Sequence, residues 1–593
     1  MSTYEDRLKA LRAQLARQSL DGFVVPLTDE HLSEYVGAYA QRLAWLTGFL
    51  GSAGSAVVLP EEAAIFVDGR YTLQVRDQVD GKHWQYQSVP QTSIAAWLSE
   101  HAPAGARIGY DPWLHTRRWV EEATAALARK GASLVPVETN PVDAVWDDKP
   151  QPSKARLVPH EERYAGKSSA AKRSDIIDWM KAEHVDATVL TALDSIAWTF
   201  NIRGADVTHT PVALAYALLH ADGKAELFVD PEKIDAQVRA HLGNAVTIRD
   251  RAAFTAGLGA LSGKTVAVDP ERAVAAIFEA LDKAGATIRP LRDPAVLPKA
   301  IKNPVEIAGQ KAAQARDGAA MAKFLHWLSV EGPKGGQTEI SASDRLQKFR
   351  EESPALVDLS FDTISGSGPN GAVVHYKASE KTNRPIETGT LMLVDSGGQY
   401  RDGTTDITRT MAIGTPTDEM RRHATLVLKG HIALAMARFP AGTRGSQLDV
   451  LARQYLWAEG LDYAHGTGHG VGSFLAVHEG PQRIATFGGG DEPLQAGMIL
   501  SNEPGYYKTG AYGIRWENLV LVVEAEIPGA EKPFLAFETL TYAPIDRNLI
   551  VKDMLSSAEL NWLDAYHAKT LAIVGPQLGD ADKAWLEAAC APL

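Results

Sequence analysis

TLMLVDSGGQYRDGTTDITRT, running from Thr390 to Thr410, decides how the last part of this chain folds. The apolar run Leu391-Met392-Leu393-Val394 predicts a strand over Thr390 to Val394, closed by Asp395. Gly397-Gly398 and Asp402-Gly403 supply turn chemistry, and Thr404 to Ala412 alternates as a second strand. A hairpin that folds back brings Asp395 and Asp406 side by side on one face. Either acid alone reads as a solvated strand end. Held together, two ionised carboxylates repel and one is expected to stay protonated; a bound cation removes the conflict.

Further candidates lie downstream. His465-Gly466-Thr467-Gly468-His469-Gly470-Val471-Gly472 reads either as a glycine-rich turn with incidental histidines or as backbone that something approaches closely. No lysine follows and the strand-to-helix context is absent, so it is not a phosphate loop. His478 follows in Val477-His478-Glu479-Gly480-Pro481. A strand over Met498 to Asn502 ends at Glu503, and Gly513 to Val523 reads as another, with Arg515 and Glu517 on one face and Trp516 on the other. Helical patterns over Glu419 to Arg438 and Gln447 to Glu459 intervene. A mixed or antiparallel sheet backed by helices is expected. Together the strands supply four carboxylates and a histidine. Oxygen-rich ligation with one imidazole suits a pair of divalent ions such as manganese better than a lone zinc. Such a pair, about 3.5–4 Å apart, bridges a hydroxide and polarises a carbonyl, which is hydrolytic chemistry.

Towards the N-terminus the chain repeats itself. Asp21 to Val25 matches Asp186 to Leu190, each after a helical stretch (Leu8 to Gln18, Asp175 to His184). Ala44-Trp45 matches Ala197-Trp198, Ala64 to Asp68 matches Glu226 to Asp230, and Ile108 to Pro112 matches Val266 to Pro270. Correspondences kept in order predict two α/β domains of one fold. Lys149 to Lys154 reads as a polar, Pro-rich linker, and a second boundary falls between Arg292 and Pro304. Val305 to Leu328 predicts a long helix opening a third domain, and the tail from Ser556 reads as helices of little chemical content.

The chain has 593 residues, 45% hydrophobic and 22% charged, enough for several cores. Length alone suggests about four domains of about 150 residues, or two or three larger ones. A formal charge of −13 argues against a nucleic-acid or anionic-membrane surface as main partner. Cys590 is the one cysteine, so no disulfide forms within the chain, and it reads as a helix-packing residue. Thr3 and Asp6 read as a capping pair, the first residues lack a signal-peptide core, and no apolar run reaches 18 residues. Cytoplasmic localisation is the default expectation.

The spacing Asp395, Asp406, His469, Glu503, Glu517 resembles the pita-bread metallopeptidases, which include methionine aminopeptidase, prolidase and aminopeptidase P. With Asp68 to Tyr71, Val373 to Tyr376, Asp395 to Tyr400 and His465 to His469, the whole chain looks like the long, cytosolic aminopeptidase P (Xaa-Pro aminopeptidase) type. The resemblance implies an α/β (α+β) fold: creatinase-like domains over 1–150 and 151–300, then a pita-bread catalytic domain with C-terminal extension over 301–593. It implies that Asp395 binds one metal, that Asp406 and Glu517 bridge two, and that His469 and Glu503 complete the other. The resemblance further implies that Glu503 relays a proton, that His375, His465 and His478 line the substrate pocket with His375 and His478 helping the scissile amide, that Arg70 reaches the substrate, and that Arg515 holds the ligands in place. The implied activity is removal of an N-terminal residue before a penultimate proline, through a hydroxide bridging two divalent metals, with Mn2+ as the expected pair and a homodimer as the expected assembly. Two other readings share much of the pattern: a prolidase-type Xaa-Pro dipeptidase, usually shorter with one N-terminal domain, and a metal-free pita-bread peptide-binding module.

Overall fold

The structure is a computed structural model and describes residues 3–593. It divides into two compact units, one formed by residues up to Glu161 with Lys167–Val296, the other by Glu162–Gly166 with Leu297–Leu593.

The N-terminal unit contains the repeat that the sequence predicts. One six-stranded sheet runs in the order Gln85–Ser88, Ala63–Val67, Ser55–Val58, Gly22–Pro26, Arg107–Tyr110, Ser133–Pro136. The other runs Val246–Arg249, Ala225–Val229, Ala215–His220, Ala187–Leu190, Thr265–Val268, Thr287–Pro290. Strand directions also match: the two pairings that include the third strand in each order are antiparallel and the remaining three are parallel. Each repeated motif lands on the same element of its copy. Asp21 and Asp186 both open the central strand, and each accepts through Oδ2 from the first N–H of its neighbour, Arg107 at 2.9 Å and Thr265 at 2.8 Å. Central strands are buried on both faces, as sheets covered by helices require. The opening helix Tyr4–Arg17 starts with the expected Thr3–Asp6 capping box. Lys149 to Leu157 has no regular secondary structure.

The C-terminal unit opens with the long helix, Pro304–Glu331, capped by an Asn303–Glu306 box with proline at its first position. Its strands pair antiparallel throughout. A three-stranded sheet joins Ile364–Ser367, Thr390–Ser396 and Ile407–Ile413; a six-stranded sheet runs Arg438–Pro440, Phe534–Thr539, Asn518–Ala525, Ile499–Asn502, Gly468–Gly470, Glu479–Ile484. Helices Asp418–Ala435 and Gly445–Trp457 pack against each other. Two strands differ from the sequence expectation. The hairpin is nested: Asp395 pairs with Thr408 and Ser396 with Ile407, while Gly398–Tyr400 and Gly403–Thr404 leave to join Leu356–Leu359. Asp406 therefore sits at the entry to the second strand rather than within it. The strand expected over Gly513 to Val523 is also broken. Tyr512–Arg515 pairs with Gly505–Lys508, and Asn518–Ala525 joins the six-stranded sheet. The break leaves Trp516 and Glu517 between sheets. Trp516 is buried in the apolar core and donates to the Ala424 carbonyl, so Glu517 faces the opposite way. The tail forms helices Ser557–Val574 and Asp580–Ala589 packed on the long helix, with Cys590 buried behind them.

Candidate metal centre

Strand ends and breaks supply the acids. Asp395 lies near the end of the central strand Thr390–Ser396, paired with Ile364 on one side and Thr408 on the other, Asp406 just before Ile407–Ile413, Glu503 past Asn502, and Glu517 in the break after Arg515. His469 occupies the middle of the short strand Gly468–Gly470. That strand is glycine-flanked for a steric reason: a Cβ on Gly468 would lie 2.0 Å from the Ser501 carbonyl oxygen, and one on Gly470 2.4 Å from that of Glu479.

Asp406, His469 and Glu517 are buried, with ligand atoms all within 4.8 Å of one another. His469 Nε2 lies 3.4 Å from Asp406 Oδ2 and 3.6 Å from Glu503 Oε1. Its Nδ1 is 2.8 Å from the Gly470 carbonyl. A carbonyl only accepts, so Nδ1 donates to it and Nε2 is the ring atom turned to the acids, the one a metal would take. Glu517 Oε2 accepts from the Thr408 hydroxyl at 2.7 Å. Asp395 Oδ2 accepts from Arg515 Nη2 at 2.7 Å, while its Oδ1 is buried with no donor.

Four carboxylates thus share a largely buried site with one guanidinium. Burial, reinforced by repulsion from Asp395, Glu503 and each other, pushes the Asp406 and Glu517 carboxyls well above the usual carboxylate range. Burial raises Glu503 as well, against the pull of His469 and Arg515. Burial opposes the charge on Arg515, but Tyr507 and the surrounding acids hold its proton firmly. An orphaned carboxylate oxygen, an inward imidazole nitrogen and mutually repelling acids together form a donor set suited to hard or borderline divalent cations.

The expected pocket histidines are near. His478 stacks edge-on against His469, ring centres 4.3 Å apart. His375 follows Val374, whose carbonyl is 3.4 Å from Arg515 Nη1. His465 Nδ1 faces the Gly466 carbonyl and its Nε2 the Tyr507 hydroxyl, both at 2.8 Å. Arg70 belongs to the N-terminal unit, where Asp68 grips it at 2.7 Å and Glu34 lies 3.5 Å away.

Three residues escaped the sequence reading. Thr408 receives a hydrogen bond from Arg515 Nε at 3.0 Å and passes one to Glu517. Period-two spacing from Asp406 marks it. Tyr507 accepts from Arg515 Nη1 at 2.6 Å and links Arg515 to His465; its spacing from Glu503 and Gly505 is the only hint. Arg409 is fully buried, donating to the Glu517 carbonyl at 2.7 Å and to the Tyr566 hydroxyl at 2.6 Å. The tail, expected to carry little chemistry, thereby fixes the backbone beneath Glu517.

Residues 308–524 match the metallopeptidase family M24, 533–593 the C-terminal region of that peptidase family, and both 7–145 and 148–306 the creatinase/prolidase N-terminal domain. A probable Xaa-Pro aminopeptidase P of Neosartorya fischeri is 42% identical over 583 residues, 95% of this chain and 88% of that protein. One from Laccaria bicolor is 41% identical over 99% of this chain and 93% of its own length. Among solved structures, the X-prolyl aminopeptidase of Caenorhabditis elegans, described as a cytosolic enzyme with a di-nuclear active site, superposes with a TM-score of 0.95 at 35% identity over 100% of both chains. Repeated creatinase-type sheets, an antiparallel catalytic unit and relatives alike along the whole length lead to one assignment: the chain belongs to the M24 metallopeptidases, in the aminopeptidase P group.

Proposed function

We propose that this enzyme hydrolyses the bond between an N-terminal residue and a penultimate proline, and that Asp395, Asp406, His469, Glu503 and Glu517 hold two divalent cations, manganese in the native enzyme. The observation that carries the reading is the gathering of Asp406, Glu503 and Glu517 around His469, with Asp395 tied to the same group through Arg515 and Thr408. Cations bound there supply Lewis acidity, making water a nucleophile near neutral pH and polarising the scissile carbonyl.

The chain's own residues do the rest. Glu503 takes the proton released by the attacking water. It returns that proton to the proline nitrogen, which cannot depart as an amine anion. His375 and His478 donate to the oxygen that becomes negative as the carbonyl turns tetrahedral. His465 lines the pocket, and Arg70 is a further peptide-binding group. Arg515 holds Asp395 directly and Glu517 through Thr408. An Xaa-Pro amide has no N–H to read, so recognition rests on the ring and the free amine. Domain limits at 150 and 300, a cytoplasmic location and a homodimer complete the proposal. It is supported by the likeness to a cytosolic relative and by the lack, among the described residues, of a helix long and apolar enough to cross a membrane.

The test compares an Xaa-Pro-Xaa tripeptide with an Xaa-Pro dipeptide, using purified protein before and after chelation and manganese re-addition. Manganese-dependent preference for the tripeptide is expected. Exclusive cleavage of the dipeptide would establish the prolidase reading instead, and full activity after complete chelation would remove the metal reading.

A further inference from the structure

Helix Gly445–Trp457 carries two charged residues one turn apart that the reaction does not use. Asp449 is fully buried and accepts three donors: Arg453 Nε at 2.8 Å and the hydroxyls of Thr467 and Thr486. Arg453 spends its remaining donors on one loop. Nη1 reaches the Tyr463 carbonyl at 2.7 Å and Asp462 Oδ1 at 2.8 Å, and Nη2 reaches the His465 carbonyl at 2.6 Å. Its guanidinium lies 3.9 Å from the centre of the Tyr463 ring, and the Tyr463 hydroxyl in turn bonds the Thr467 hydroxyl. The Thr467 carbonyl accepts the Glu503 N–H at 2.8 Å. One helix therefore grips the backbone of His465 through Arg453 and that of Glu503 through Thr467.

The helix itself is packed backbone to backbone against its neighbours. A Cβ on Gly445 would lie 1.7 Å from the Arg483 carbonyl oxygen, and one on Gly430 of the neighbouring helix 2.1 Å from that of Ala452. Backbone packed that closely gives the pair a fixed base.

Building on the aminopeptidase reading, we propose that Asp449 and Arg453 are positioning residues that set His465 and Glu503 relative to each other. Only a planar guanidinium reaches four acceptors in this fan; a lysine ammonium on a flexible stem does not. The hydrogen bonds of Asp449 and Arg453 go to one another, to Thr467 and Thr486 and to the 462–465 loop, and to none of the five proposed ligand side chains, so losing the pair misaligns the reacting groups without emptying the site. Supporting groups of this kind typically cost about 10–100-fold when removed.

The experiment uses full-length, manganese-loaded Arg453→Met, Arg453→Lys and Asp449→Asn proteins, with kcat, KM, bound manganese and Tm measured on each. For Arg453→Met the expected result is a kcat lowered about 10–100-fold with wild-type manganese content and KM within about threefold. Arg453→Lys should recover part of the kcat, and Asp449→Asn should fall between the two. Unchanged kcat in folded Arg453→Met, or a loss that merely follows lost manganese in all three proteins, overturns the proposal. Should Arg453→Met fail to fold, the lysine and asparagine proteins decide by the same criteria. Wild-type protein is assayed on both peptides: exclusive dipeptide cleavage overturns the underlying reading, while the variants then test positioning on the dipeptide; a wild type that cleaves neither overturns both.

Discussion

Asp111 and Asp269 in one unit and the clustered acids of the other meet burial in opposite ways. In the N-terminal unit, Asp111 and Asp269 stand at matched strand ends. Asp111 accepts the Trp113 N–H at 3.0 Å and the Asn140 amide at 2.9 Å; Asp269 accepts the N–H groups of Glu271 and Asp293 at 2.9 and 2.8 Å. Both oxygens of each carboxylate have local donors. In the C-terminal unit, Asp406, Glu503 and Glu517 face one another and His469, and Asp395 keeps one oxygen without a donor. A satisfied acid is architecture. A cluster of acids left unsatisfied by the protein is a demand for something the protein does not itself contain.

The contrast can be broken most decisively at the reaction. Asp406→Asn and Glu517→Gln should lower kcat for a tripeptide by about a thousandfold, the scale of losing a main electrostatic stabiliser, as measured by steady-state kinetics. Asp269→Asn should leave kcat within a factor of about two, because its partners are two backbone N–H groups and the Arg272 guanidinium, none of which has a part in the proposed reaction. Equal losses at the two sites would erase the distinction.

Cation removal should act on stability next. A ligand present at a hundred times its Kd stabilises by about 2.7 kcal/mol, so chelation is expected to lower Tm by several degrees and manganese to restore it. Substitution then gives opposite signs in the stripped protein. Asp406→Asn relieves repulsion and should raise its Tm, whereas Asp269→Ala removes the acceptor for two N–H groups and should lower it by about 1–3 kcal/mol in stability. Calorimetry of both variants reads the sign directly.

The smallest expected effect is one the units share. Burial pushes His115 in the first and His431 in the second down to about 3. Each folded value lies below the ordinary histidine range, so the unfolded chain binds the extra proton. Their stabilising contribution is present above about pH 6.5 and is lost as pH falls towards 3. His115→Gln should flatten the decline of Tm between pH 6.5 and 4, as read by thermal melts; an unchanged slope would remove His115 from that account.

Much of this was legible before any coordinates. The repeated aspartates and apolar runs carried the twin sheets because each copy must bury the same strand pattern and cap the same strand start. The five residues stood out only as a set, because each acid alone reads as a solvated strand end whereas gathered carboxylates call for a cation. What the sequence concealed was pairing at a distance. Nothing local to Gly398–Tyr400 says that it leaves its hairpin for Leu356–Leu359, and nothing in Gly513 to Val523 marks the break at Trp516. Alternation continues through that break, since Arg515 and Glu517 still face one way. Tyr566 gave no signal either, because its importance lies in a buried arginine more than 150 positions away.

The most direct measurement is a manganese titration of chelator-stripped wild-type, Asp406→Asn and Glu517→Gln proteins, counting tightly bound ions per chain. Two ions in the wild type, with loss of at least one in each variant, is the result expected from acids gathered around shared cations. A wild type that binds none, or variants that bind as many as the wild type, would contradict it.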